Sequence, residues 1–84
     1  MNKKSEMYGA IYILLFPCCQ DPIMKSLELF SSFDEALKRS EEIIKEFEEE
    51  YGIDYVEHAT RENPVTVIGN GEVSGYVYIV ETQM

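Results

Sequence analysis

Few residues of this chain could do chemistry: the adjacent pair Cys18 and Cys19, Asp21 close behind, and His58, the single histidine. Together they hold the donors of a thiolate and imidazole metal site. Zinc ligands within one loop usually stand two to four residues apart, however, and these two cysteines are neighbours. A Cys-His nucleophile pair would need its base within hydrogen-bond reach and a set of oxyanion donors, and no glycine motif of that kind accompanies these residues. Gly69-Asn70-Gly71 has too few glycines for a phosphate loop, with neither a lysine nor a helix after it, so it reads as a hairpin turn. Acid pairs are abundant among 16 Asp and Glu in 84 residues and therefore discriminate nothing. The chain is expected to be non-enzymatic, with no catalytic residue, no metal and no cofactor.

Charge says more. Sixteen acids against seven bases leave a net charge of -9, which repels phosphate backbones and anionic membranes within a Debye length of about 8 Å. Direct binding to nucleic acid or to a membrane is not expected. Residues 1–31 are neutral in sum, residues 32–52 carry -5 and residues 53–84 carry -4. Two adjacent cysteines make no disulfide framework and read as reduced thiols in a cytoplasmic protein. Lys3 and Lys4 ahead of YGAIYILLFPCC imitate a signal peptide, but Glu6 and Pro17 stand at the wrong places for one. The apolar run is also too short to span a bilayer.

The element that must organise the chain is a helix from Ser32 to Gly52. Ser32 with Glu35 forms an S-x-x-E capping box. Phe33, Leu37, Ser40, Ile44, Phe47 and Tyr51 recur at steps of four and three, with Ala36 and Ile43 widening the stripe, and Gly52 ends it. Residues 1–6 read as a frayed tail. Tyr8 to Phe16 reads as a strand apolar on both faces, and after the loop PCCQDPI a short strand follows at Lys25 to Phe30. The stretch IDYVEHATRENP reads mostly as loop, with an extended piece at Tyr55 to Glu57. Val65 to Ile68 and Gly75 to Glu81 then form a hairpin whose Asn-Gly turn suits type I′.

The expected fold is thus a single small α+β domain, ββαββ. Following the chain up and down through these elements makes the first and last strands parallel. As the two most apolar, they should lie together in the centre of a four-stranded mixed sheet of order 2-1-4-3, with the one helix packed on one face. This arrangement resembles the β-grasp architecture of ubiquitin-like proteins in topology alone; the ending VETQM does not imply conjugation. A ferredoxin-like half or an antiparallel order 2-1-3-4 is the alternative.

One helix cannot cover two sheet faces, so two surfaces stand out. Ile11, Ile13, Leu15, Val77 and Ile79 are expected to receive the helix. Tyr12, Leu14, Phe16, Tyr76, Tyr78 and Val80 would then form a bare aromatic face, suited to a protein partner or to a homodimer. The second surface is acidic. Pairs at four-residue spacing balance Lys38, Arg39 and Lys45, whereas Glu46, Glu48, Glu49 and Glu50 crowd the last turns against the helix dipole, with Asp54 and Glu57 following. The leading expectation is a small acidic protein-binding module, in its sharpest form an inhibitor that occludes the basic nucleic-acid-binding surface of a partner. It is similar in size and charge alone to the DNA-mimicking inhibitors that phages make against host defences. A structural homodimer through the aromatic face is the alternative.

Overall fold

The computed structural model describes residues 6–16 and 21–83. The expectations for the N-terminal tail before Glu6 and for Cys18 and Cys19 lie outside the described residues. The chain forms β1 (Glu6–Leu15), β2 (Ile23–Phe30), α1 (Phe33–Tyr51), β3 (Tyr55–Glu57), β4 (Val65–Gly69) and β5 (Ser74–Gln83). It is a small compact α+β domain with one helix on one face of a sheet.

The helix forms as its punctuation requires. Ser32 is extended and its hydroxyl accepts the Glu35 N–H at 3.2 Å. The Glu35 carboxylate reaches back one residue further than in the standard box and accepts from Ser31 N–H and Oγ at 3.1 and 3.0 Å. Phe33, Ala36, Ser40, Ile43, Ile44 and Phe47 are buried. The one polar residue of the stripe, Ser40, gives its hydroxyl to the carbonyl of Leu37 at 2.7 Å, so nothing polar is stranded at the seam.

The sheet corrects the sequence reading in number and direction. It has five strands in the order β2-β1-β5-β4-β3, and every neighbouring pair is antiparallel. The segment Tyr55–Glu57, read as mostly loop, is a strand paired with β4, Val56 lying opposite Ile68. That short strand adds one reversal after the helix. Every later element therefore runs opposite to expectation, and the central pair β1 and β5 is antiparallel rather than parallel. The side-by-side placement of the first and last strands stands, but the mixed four-stranded sheet and with it the β-grasp likeness do not.

Register decides which residues share a face. In the antiparallel register Tyr12 lies opposite Val77, Ala10 opposite Ile79 and Leu14 opposite Gly75, and all of these are buried under the helix. Gly75 is the seat for Phe47. A Cβ there would stand 3.1 Å from two ring carbons of Phe47, closer than a side chain normally packs, so the bare backbone lets the ring settle onto the sheet. At the other end of the helix Phe33, Ala36, Ala59 and Ile79 form a smaller cluster, with the Arg61 guanidinium 4.5 Å above the Phe33 ring. Buried Thr66 accepts the Ala59 N–H at 3.1 Å, which pins the loop between β3 and β4 to the core.

The β4–β5 turn also differs from expectation. A type I′ turn needs positive φ at both central residues, and here only Gly71 has it, at 90°. Asn70 to Val73 form a four-residue loop held by the Asn70 side chain, whose Oδ1 accepts from the N–H groups of Glu72 and Val73, both at 2.8 Å. Its Nδ2 donates to the carbonyl of Tyr51 at 2.8 Å, tying the turn to the end of the helix.

Candidate functional site

The surface opposite the helix is built by the alternate residues of the same strands. In successive rows across the sheet it presents Leu29, Gly9 and Val80; then Leu27, Ile11, Tyr78 and Val65; then Met24, Ile13, Tyr76, Val67 and Glu57. Gly9 sits among the apolar tips of Val80, Leu27 and Leu29, each 3.5 to 3.6 Å from where its Cβ would be. The Tyr76 and Tyr78 rings lie side by side, centroids 6.4 Å apart. With Ile13, Leu15 and Pro22 they line a shallow groove of about 240 Å³. Met24, Leu27 and Leu29 are 62, 55 and 56% exposed, and Tyr78 and Val80 are also open to solvent. Such a contiguous apolar face is larger than single scattered hydrophobics and is not a feature that a sheet needs for folding.

The structure divides the residues of the aromatic face expected from the sequence between the two sides of the sheet. Tyr76 and Tyr78 lie on the bare face. Tyr12 and Leu14 do not: both are in the core beneath the helix, and Phe16 packs edge-on against Tyr51 beside that core, ring centroids 6.3 Å apart. Their places on the bare face are taken by Ile11, Ile13 and Leu15, which were expected to receive the helix together with Val77 and Ile79; of that set only Val77 and Ile79 are in the core. Both faces of β1 are apolar, so its own pattern does not choose between them; its register against β5 does. Val80, expected on the bare face, lies there; Leu27, Leu29 and Met24 are the remaining signal, as apolar residues on a strand face that the helix does not reach.

The six acids expected as a partner surface are carried by three parts of the fold, the end of α1, the loop after it and β3. Glu46 is committed to Arg39, whose Nη1 donates to it at 3.0 Å and to Glu42 at 3.3 Å while Nε donates to Glu28 of β2 at 2.9 Å. This clip, which sequence spacing alone had not paired, joins helix to sheet edge; partial burial alone would lower the Arg39 pKa, but the bonds to Glu46 and Glu28 outweigh it and hold the guanidinium above its usual range. Glu48, Glu49 and Glu50 are exposed, and as consecutive helical residues they fan around the axis at about 100° intervals rather than lining one side. Asp54 lies in the loop beyond, its N–H bonded to the Gly69 carbonyl at 2.8 Å. Glu57 is on the bare sheet face at its β3 margin, where its carboxylate beside Tyr55 holds that phenol above its usual range.

Beneath the Arg39 clip, burial first and then Tyr51, Glu46 and Glu50 push the Tyr12 phenol up to about 12. Because the folded value exceeds the free value of about 10, the neutral phenol favours the fold. That contribution is intact below about pH 10 and is lost as pH rises towards about 12. Tyr12→Phe is expected to move the alkaline unfolding midpoint upward, read by far-ultraviolet circular dichroism; an unchanged midpoint would contradict this placement.

His58 Nδ1 lies 2.8 Å from Glu41 Oε2, and Arg61 Nη2 lies 3.9 Å from Asp34, both at the exposed helix flank. Among the described residues no three His, Cys, Asp or Glu side chains are grouped to hold a metal ion, and no helix is long and apolar enough to cross a membrane. Comparison with protein-family models, with curated proteins and with solved structures finds no match to this chain, so its site rests on its own geometry.

Proposed function

We propose that this chain is a small acidic, non-enzymatic protein-binding module, and that its working surface is the bare face of the sheet. The observation that supports this most is the three-row apolar surface centred on Tyr76 and Tyr78, left uncovered by a fold with one helix. Tyrosines at the centre of an apolar patch are the residues that anchor protein interfaces, since each ring buries area while its hydroxyl stays wet. We place this module in the cytoplasm, on the sequence expectation that the adjacent Cys18 and Cys19 are reduced thiols.

The test is an immobilised chain exposed to extract of the cell that makes it, at low and high salt. Proteins held through this face should be retained equally or better as salt rises, and Tyr78→Glu should lose them. Retention that Tyr78→Glu leaves unchanged would refute the reading.

A second reading is favoured by the helix end, which has three exposed glutamates and no basic residue in its last turn. There the chain would act as an inhibitor covering the basic nucleic-acid-binding groove of a partner. Binding of that kind should weaken steeply with salt and disappear when Glu48, Glu49 and Glu50 are replaced by Gln. Binding that survives both would reject it.

A further inference from the structure

We propose that the occupant of the bare face is a second copy of this chain, packed face to face so that the two sheets are the inner layers and the two helices the outer ones. This rests on reading the face as a docking surface and adds the identity of what docks.

Area is the first argument. Strands of ten, eight, three, five and ten residues, at about 3.4 Å per residue and about 4.8 Å between strands, give the face a flat footprint of about 600 Å². Two such faces bury about 1,200 Å² before the relief of the side chains is counted, which reaches the range of specific, stable interfaces.

Charge is the second. From Gly9 to Leu15 on β1 and from Tyr76 to Val80 on β5 the two central strands carry no charged residue at all. A basic partner gains nothing from this uncharged centre, whereas the same centre of a second copy matches it, with Glu57 left at the β3 margin of each face. The net charge of -9 does not oppose the arrangement. Aligned sheets pack about 10 Å apart, and each helix lies a full layer further out, so the acidic helices are separated by well over a Debye length of about 8 Å.

Position is the third. β5 is the middle strand of the five, so Tyr76 and Tyr78 occupy the middle of the face. In an isologous contact the residues near the two-fold axis meet their own counterparts, and central, fully desolvated aromatic residues carry most of the binding energy.

Sedimentation equilibrium of the native chain from about 1 to about 200 μM, a range that detects even a weak dimer, tests the proposal. The native chain should reach twice its 9.7 kDa mass. Tyr78→Glu and, separately, Leu27→Glu should each raise the dimer Kd by about 100-fold or more, because each buries a carboxylate in an apolar contact. Both side chains are exposed in the single chain, so the circular dichroism spectrum should not change. A chain that stays monomeric at the highest concentration, or a dimer that both variants leave intact, overturns the proposal. A monomer that nonetheless captures a different protein through Tyr78 rejects the second copy alone and leaves the docking surface standing.

Discussion

Phe47→Ala is expected to lower stability by about 3 to 5 kcal/mol, a large share of the total for a chain of this length. Phe47 is 1% exposed and lies at the centre of the larger core cluster, in contact with the sheet where Gly75 has no side chain. Its ring centroid is 5.0 Å from that of Tyr51, so the same substitution strips packing from the last turn of the helix. The cavity cannot close from below, because the backbone of β5 is already in contact there and a strand held on both sides by β1 and β4 does not move inward. A thermal midpoint lowered by about 15 to 30 °C in circular dichroism is the expected reading. A shift below about 5 °C would mean that the helix is not seated as described. Gly75→Val attacks the same contact from the sheet side and should destabilise through crowding instead of a void.

Asn70→Ala is expected to cost about 2 to 4 kcal/mol, from three side-chain hydrogen bonds at about 1 kcal/mol each and from a helix carbonyl left without its protein donor. The helix end needs that donor. Four glutamates lie in its last six residues, no lysine or arginine is in the last turn, and besides Asn70 the support seen for its terminal carbonyls is the Gly52 N–H bonded to Glu48 at 2.9 Å. Asn70→Asp separates the two roles: it keeps the oxygen that accepts from both turn N–H groups and removes the donor to Tyr51. Amide exchange in that variant should speed up at the helix end while the β4–β5 turn stays protected. Unchanged exchange at Glu50 to Gly52 would show that the turn does not hold the helix.

The helix was legible because its signals are local. Ser32 and Glu35 sit within one turn of each other, and the stripe from Phe33 to Tyr51 repeats at the helix period over five turns. The uncovered face was legible for the same reason on β5, where Tyr76 and Tyr78 alternate with Val77 and Ile79. What was not legible depends on parity. Tyr55–Glu57 is three exposed residues with little apolar patterning, and whether it counts as a strand decides the direction of everything after it. Because β1 is apolar on both sides, a one-residue change in its register against β5 exchanges Tyr12 and Leu14 for Ile11 and Ile13 on the bare face without any change in its own sequence pattern. Asn70 misled for a different reason: Asn-Gly is the strongest short hairpin signal, yet here the asparagine works through its side chain across nineteen residues to Tyr51. Likewise Glu46 had no partner at helical spacing of four, and the Arg39 that holds it is seven residues away and oriented by Glu28 on another strand.

The central claim is that the bare sheet face, and not the acidic helix end, makes this chain's contacts. Two-dimensional amide spectra of the isotope-labelled chain, taken across the concentration range over which it associates, test this residue by residue. The account predicts that signals of Ile11, Ile13, Leu27, Tyr76, Tyr78 and Val80 shift together while those of Glu48, Glu49, Glu50 and Asp54 stay in place. Shifts confined to the helix end, with the sheet face unchanged, would contradict it.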